Sequence, residues 1–399
     1  MVIQKYSSDV MREHNQNLYY NLIRIMGPIS KAKLARVTGM SPTSSGRIVN
    51  QLLQDGHVRE VGETEGGVGR KATLLEIVPD GIMAIGVEIE TYHIAAGLVD
   101  VEGHILHKCY FENNPSYCMT HMLEIVRQSI DTILAVTEDE RLERINGIGV
   151  SIPGVIDWKN GVVKYSPQLG WNNVSLKLLL QNSYPMNVVV ENNVKANAEA
   201  ESLFGAAKTI SDFLVLQIGS GIGAALFANG GVLRGSMNIA GEIGHIIVNT
   251  NGPQCDCGRR GCLQSSLCIM GIEHMTGMPF AEVIRRAEQG DRECMLLLDA
   301  TATNLAQWVA NLANLYDPSL IIVCGEMLEQ WGELLQHIKD RHKRFMWQPG
   351  RTSINIQKSG FSRYDLPIVS AAATVLNEII VSNVIICEKV GLTKSGFRR

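Results

Sequence analysis

Nowhere do about 18 apolar residues follow one another without interruption, so no membrane-spanning helix is expected. The first residues, Met1 to Val10 with Lys5 and Asp9 among them, hold no apolar signal core, and the chain is expected to stay in the cytoplasm. A disulfide framework is missing too. The nine cysteines are an odd number, and three of them fall within eight positions, which suits a reducing compartment and a metal site. There is no overall excess of positive charge: a net charge of −4 argues against a surface given over wholesale to nucleic acid. What charge there is, however, is unevenly spread. Residues 1–80 carry ten Lys or Arg against eight Asp or Glu, whereas residues 81–399 carry 26 against 32. The basic excess sits at the front.

What is present is an ordinary globular composition, 45% apolar and 19% charged, in 399 residues. That length exceeds what one hydrophobic core sustains, and two or three domains are expected. The first 80 residues read as three helices and a β-ribbon. Leu18, Leu22, Ile23, Ile25 and Met26 recur at helical spacing until Gly27-Pro28 stops the run. Ser30 can cap a short second helix with Leu34 and Val37 inward, and Gly39 supplies a turn. Ser41 caps a third helix with Pro42 at its first position, where a missing N–H costs nothing. Ile48, Val49, Leu52 and Leu53 make its buried stripe, leaving Thr43, Ser44, Arg47, Asn50 and Gln51 outside, and Gly56 ends it. A helix, a turn and a capped helix form a helix-turn-helix, whose second member lies in the major groove with its N-terminal residues over base edges. Two strands, Val58 to Val61 and Thr73 to Val78, flank a glycine-rich tip at 62–69. Beside that tip Arg70 and Lys71 can reach phosphate or minor groove. Thr43, Ser44, Arg47, Asn50, Arg70 and Lys71 are therefore the candidate DNA contacts. Three small helices can also serve as a dimerisation or protein-binding module.

Pro79-Asp80-Gly81 marks a boundary, and a pattern beyond it occurs twice. Ala84 to Leu106 and Phe213 to Arg234 each read as apolar strand, turn, apolar strand, turn and short strand. A helix (Met119 to Val136), a strand (Ile145 to Ile152) and a strand–helix pair (Asn187 to Glu191, Val194 to Phe204) follow the first copy. A helix around Thr301 to Leu315 and a strand Leu320 to Cys324 follow the second. Two similar α/β halves imply a duplicated fold with a cleft between lobes.

The most specific cluster is His245, Cys255, Cys257 and Cys262, the donor set of a closed tetrahedral zinc site, with glycines at 252, 258 and 261 that let the backbone wrap a small ion. The alternative is unpaired thiols beside an unrelated histidine. With four protein ligands no position remains for an activated water, so Zn2+ here is expected to be structural. Ile218-Gly-Ser-Gly-Ile-Gly223 is a tight glycine turn that can cradle phosphate or simply allow a hairpin.

Taken together, Ile218-Gly-Ser-Gly221-Ile-Gly223-Ala-Ala-Leu226, Gly235, Gly241-Glu242-Ile-Gly244-His245 and Cys255-Asp-Cys257-Gly-Arg-Arg-Gly-Cys262-Leu-Gln264 resemble the signature of the ROK family, named for repressors, open reading frames and sugar kinases. Ser151-Ile-Pro153-Gly154-Val-Ile-Asp157 resembles the family's sugar-side loop, Glu191-Asn192-Asn193 falls where its kinases carry Glu-Asn-Asp, and Tyr165-Ser-Pro-Gln-Leu-Gly-Trp171 is most similar to the xylose-repressor branch. The resemblance implies an α/β protein: an N-terminal all-α/β-wing domain, the winged helix-turn-helix (1–79), then an actin-like, hexokinase-type ATPase fold. Its first lobe would span 80–193 and its second, with the zinc site, 194–399, a C-terminal helix packing back on the first lobe. It further implies sugar contacts at Asn192, Asn193, Glu242, His245 and Gln264, with Gly154 in the loop below. Glu242 could instead be a buried carboxylate holding a loop. If His245 gives one ring nitrogen to zinc, the other can donate to a sugar hydroxyl.

Departures from the kinase pattern cut the other way. In the family's kinases the aspartate after Glu-Asn takes the proton of the attacking hydroxyl, and Asn193 cannot. The first phosphate loop, Asp-Ile-Gly-Gly-Thr in those kinases, is here Glu88-Ile-Glu90-Thr-Tyr92, which puts a carboxylate where backbone should approach phosphate. Cys324-Gly325-Glu326 falls short of the glycine run expected near the nucleotide, and Gln264 stands where the family usually has Glu. The expectation is a non-enzymatic, sugar-responsive repressor of carbohydrate genes, a homodimer or tetramer on a palindromic operator. Two alternatives are an active sugar kinase carrying a DNA-binding domain and a regulator controlled by a protein partner. The sugar's identity does not follow from the residues.

Overall fold

Two five-stranded sheets repeat one topology. In the computed structural model, which describes residues 8–63, 72–347 and 352–381, the first sheet runs in the order Ile105–Glu112, His93–Asp100, Met83–Ile89, Ile145–Ile152, Asn187–Asn192. The second runs Gly231–Val232, Ile222–Ala228, Phe213–Ile218, Leu320–Cys324, Asn355–Lys358. In both, the three strands of the apolar repeat pair antiparallel, and the first of them then pairs parallel with an incoming strand. The parallel strands Met83–Ile89, Ile145–Ile152 and Leu320–Cys324 are buried along their lengths apart from Asn146, which is why they read as continuous apolar runs.

Helix Leu366–Val381 lies across the first sheet, on Met83–Ile89 and Ile145–Ile152. Its approach is close enough that a Cβ at Gly86 or Gly149 would collide with the carbonyl of Ile368 or Ala371. Helix Asn193–Leu203 packs against Leu366–Val381 on one side and Ile222–Ala228 on the other. Ten of its eleven residues are buried, so it carries no polar face to water.

At the front, helices Ser8–Met26, Lys31–Thr38 and Pro42–Gln54 pack on a three-stranded antiparallel sheet of Ile29–Ser30, Thr73–Ile77 and Val58–Glu63. The expected caps form: Ser30 Oγ accepts from the Lys33 N–H at 3.3 Å and Ser41 Oγ from the Ser44 N–H at 3.2 Å. Gly39 closes the second helix at φ 70°, a left-handed conformation that costs glycine nothing. The first helix differs from the sequence expectation. Ile25 is 40% exposed, and the buried face is Tyr19, Tyr20, Leu22 and Ile23. This helix meets two partners, the small helical core and the C-terminal helix, where Asn21 Nδ2 reaches the Ile379 carbonyl at 3.5 Å, and the aromatic rings fill that double contact. The glycine-rich tip with Arg70 and Lys71 and the tail 391–399 lie outside the described residues. Among the described residues no helix is long and apolar enough to cross a membrane.

Candidate functional site

Between the two sheets opens a cleft of about 650 Å³, within the range of small-ligand sites. Its walls come from the loop Pro153-Gly154-Val155, the N-terminus of helix Asn193–Leu203, the hairpin tip Ser220-Gly221, the segment Ile239 to Ile247, and Gln264. The glycine turn is a hairpin, closed by the Gly219 N–H on the Gly221 carbonyl at 2.9 Å, and it also forms part of the cleft wall. All six sugar-side candidates, Gly154, Asn192, Asn193, Glu242, His245 and Gln264, line this space.

Their hydrogen bonds divide them. Asn192 caps the buried helix, its Oδ1 accepting from the N–H groups of Val194 (3.0 Å) and Lys195 (3.3 Å) and its Nδ2 donating to the Gly154 carbonyl at 3.1 Å. Asn193 donates from Nδ2 to Glu90 Oε1 at 3.0 Å while its Oδ1 accepts the Val194 N–H at 2.9 Å. Both amides thus hold the loop and helix through the carbonyl and one N–H, and these bonds leave each its second N–H. Glu242 lies in the field of Lys195, whose ammonium burial weakens and Glu242 supports.

On the adjoining wall His245 Nδ1 is 3.8 Å from Cys255 Sγ, and Cys257 Sγ is 3.6 Å from Cys262 Sγ. All four donor atoms lie within 4.8 Å of one another. Ligands about 2.0–2.3 Å from one tetrahedral ion are spaced about 3.3–3.8 Å apart, so the set fits a single metal ion. Because Nδ1 faces the sulfurs, Nε2 of the same ring is left on the opposite edge, and His245 belongs to both the cluster and the cleft. Gln264 Nε2 lies 3.8 Å from Cys255 Sγ and ties the same two features together.

Several residues of the site were not singled out from the sequence. Glu90, noted there only as a charge hostile to phosphate, lines the cleft. Burial first, and then the charge of Glu88, pushes its carboxyl up to about 7, against the pull of His93 and the Asn193 amide. Arg234 pairs with Glu191 and, at 2.8 Å, with Glu199, and its guanidinium sits 4.5 Å from the centre of the Trp158 ring. Asn238 donates to Glu191 Oε1 (3.1 Å) and to the Ile156 carbonyl (3.0 Å), and its own carbonyl accepts from the fully buried Lys195 Nζ at 2.9 Å. This network joins the two halves beneath the cleft. Its members are scattered from 156 to 238 with no local spacing that could have announced them.

Far from the cleft, Thr43, Ser44, Arg47 and Asn50 are exposed on one face of helix Pro42–Gln54. Asn50 Oδ1 accepts from Lys31 Nζ at 3.1 Å, and Ser44 Oγ from the Ser41 hydroxyl at 2.9 Å. Thr43 and Arg47 lie beside them on the same exposed face.

The sequence profile of the ROK family matches residues 84–375. The chain belongs to the ROK family. Beyond that profile, the ROK chain is similar over most of its length to regulators. The xylose repressor of Bacillus subtilis (strain 168) is 26% identical over 337 residues, covering 82% of this chain and 86% of that one. The N-acetylglucosamine repressor of Escherichia coli O157:H7 is 26% identical over 379 residues, with 90% and 89% covered. Among solved structures, a ROK family transcriptional regulator described as a homolog of the E. coli MLC protein superposes with a TM-score of 0.78 at 20% identity, over 94% of this chain and 99% of that one. A ROK glucokinase from Streptomyces griseus, in complex with glucose and AMPPNP, reaches 0.64 at 24% identity over 73% of this chain and 98% of its own. The ROK fold, with its actin-like, hexokinase-type halves, is therefore shared with this regulator and this kinase alike, and the regulator matches a larger share of the chain, 94% against 73%.

Proposed function

We propose that this ROK protein is a sugar-responsive transcriptional repressor of carbohydrate metabolism genes, with a kinase-like body that binds sugar and does not phosphorylate it. Residues 1–79 form a winged helix-turn-helix that reads DNA through Thr43, Ser44, Arg47 and Asn50, with Arg70 and Lys71 as further DNA contacts. Residues 80–193 and 194–399 form the two lobes, and sugar binds between them at Gly154, Asn192, Asn193, Glu242, His245 and Gln264. A structural Zn2+ held by His245, Cys255, Cys257 and Cys262 would brace the cleft wall and orient the His245 ring toward a sugar hydroxyl. The working form is a homodimer or tetramer on a palindromic operator, because two helix-turn-helix heads read half-sites related by a two-fold axis.

The observation that carries the loss of catalysis is Asn193. The group that should accept the proton of an attacking hydroxyl is an amide, and its donor side is already used on Glu90. The test is thermal unfolding across pentoses, hexoses and N-acetylated sugars, followed by operator binding with the sugar that acts. A ligand at a hundred times its Kd stabilises by about 2.7 kcal/mol. One sugar should raise the midpoint, lose that effect in Glu242→Ala, and change operator affinity. Operator binding indifferent to every sugar tested overturns the reading.

A further inference from the structure

Two departures from the kinase pattern, 103 positions apart in the sequence, touch in the fold. Glu90 follows strand Met83–Ile89 at a position where the resemblance to the family's kinases implies a phosphate-loop glycine, and its Oε1 accepts from Asn193 Nδ2 at 3.0 Å, where those kinases carry the aspartate. A carboxylate at both positions would set two like charges about 3 Å apart, and an amide at 193 converts that repulsion into a hydrogen bond. The amide cannot turn round without loss, because its Oδ1 holds the Val194 N–H at 2.9 Å. Glu90 is pinned from the neighbouring strands as well. Asn113 Nδ2 donates to the Glu90 carbonyl at 2.7 Å, and the Glu90 N–H donates to the His93 carbonyl at 2.9 Å.

The remaining charges around the cleft deepen the effect. Glu242 is a second carboxylate in the lining. Behind Glu90, Glu88 Oε2 is 2.9 Å from His93 Nε2, so that histidine answers Glu88 first. Lys195, the buried cation of the lining, gives its Nζ to the Asn238 carbonyl at 2.9 Å. A phosphate set between Glu90 and the Ser220-Gly221 tip would meet the Glu90 carboxyl at close range, with the Lys195 ammonium already engaged on the Asn238 carbonyl. A sugar hydroxyl there would instead find an acceptor already oriented.

We propose that Glu90, positioned by Asn193, is a ligand-reading residue that closes the phosphate side of the cleft, accepts a hydroxyl of an uncharged sugar, and turns away both nucleoside triphosphate and sugar phosphate esters. The inference rests on the sugar-sensor reading and adds to it the class of ligand. In reading that hydroxyl Asn193 acts through Glu90, as a positioning residue.

The experiment uses the full chain. Xylose, glucose and N-acetylglucosamine, the phosphate ester of each, and MgATP are titrated by calorimetry and thermal unfolding against wild type, Glu90→Gln and Glu90→Gly, with ADP release recorded in parallel. Glu90→Gln keeps the shape and supplies a control should the glycine variant fold poorly. The expected result is binding of one uncharged sugar to wild type, no binding of its ester or of MgATP, and, in Glu90→Gln, sugar affinity reduced about tenfold with ester binding gained. An ester that binds wild type as tightly as its parent sugar overturns the inference and leaves the sensor reading standing. So does a Glu90→Gln protein with unchanged preferences. ADP release that requires sugar and disappears in Glu90→Gln would make Glu90 a transposed catalytic base and overturn it in another way. If neither sugars nor esters bind, the sensor reading falls and this inference falls with it.

Discussion

Glu90 illustrates how much of a site's chemistry depends on what one carboxyl can see. Glu88 and His93 face it from its own hairpin, the Asn193 amide from the buried helix, and Arg363 acts on His93 from the loop before the C-terminal helix. Burial and Glu88 hold its proton up to about pH 7, whereas in the unfolded chain it leaves near 4.5. Between those values the folded state binds the extra proton, so this group's contribution to stability is full below about pH 4.5 and is lost as pH rises toward 7. The whole effect is on the order of 3 kcal/mol. Glu90→Gln should flatten the pH dependence of the unfolding free energy across that window relative to wild type. Parallel curves for the two proteins would show that Glu90 titrates normally. From the sequence its charge was legible but its partner was not, because the contact with Asn193 spans 103 residues. The metal cluster is the opposite case. Its three cysteines lie within eight positions and its histidine ten residues before them, so spacing alone brought the four together, and the fold places their donor atoms within 4.8 Å. Chelation, or Cys262→Ser, should cost on the order of 3 kcal/mol and weaken sugar binding along with stability, since His245 belongs to both the cluster and the cleft lining. A protein whose metal content is nil by emission spectrometry and whose melting is indifferent to chelator would remove zinc from the account.

At the level of elements the 3.6- and 2-residue periods carried most of the information. The helix at 119–136, the strand at 145–152 and the strand at 320–324 have the limits their apolar runs imply. What the periods could not supply was the identity of the neighbours. Helix Ser8–Met26 rotates toward Tyr19 and Tyr20 because a helix more than 340 residues later packs on it, and no local pattern encodes that. Helix Pro42–Gln54 is the clearer case: Ser45, Val49 and Leu52 go inward, and Thr43, Ser44, Arg47 and Asn50 are left on the outer face. An exposed arginine of this kind adds little to folding, so its removal separates binding from stability. Arg47→Ala should weaken operator binding by about 1–3 kcal/mol and relax base preference at one position, with the melting midpoint unchanged. If affinity falls equally on all sequences, and the salt dependence with it, Arg47 contacts phosphate and the base-reading assignment is wrong.

Across the whole molecule, the question is how a sugar between two lobes can be felt by helices at the other end of the chain. Helix Asn193–Leu203 is about 16 Å long, capped at the cleft by Asn192 and buried on every side, so it moves as a rod. Its other end is Phe204, whose ring lies against Gly103 so closely that a Cβ there would collide with it. Gly103 belongs to the tight turn Asp100 to His104, in which Asp100 Oδ1 accepts the N–H groups of Glu102 and His104 at 2.9 Å each. Asp100 and Glu102 act in turn on Tyr20 of the first helix, and Glu102 on Arg24. That joint is imperfectly satisfied: Tyr20 Oη, Asn21 Oδ1 and Arg24 Nε are buried without hydrogen-bond partners. Buried polar groups left unpaired lower the cost of an alternative arrangement in which they are paired, as a two-state joint requires. The route makes a specific prediction. Phe204→Leu keeps an apolar side chain while shortening the contact with the 100–104 turn, so sugar should still raise the melting midpoint, but its effect on operator affinity should shrink. Typical coupling energies of about 1–3 kcal/mol correspond to changes of about 5- to 150-fold, wide enough for operator titrations with and without sugar to resolve the loss. Coupling undiminished in Phe204→Leu would mean that the signal crosses elsewhere, with helix Leu366–Val381, which touches both the first sheet and the first helix, the next element to alter.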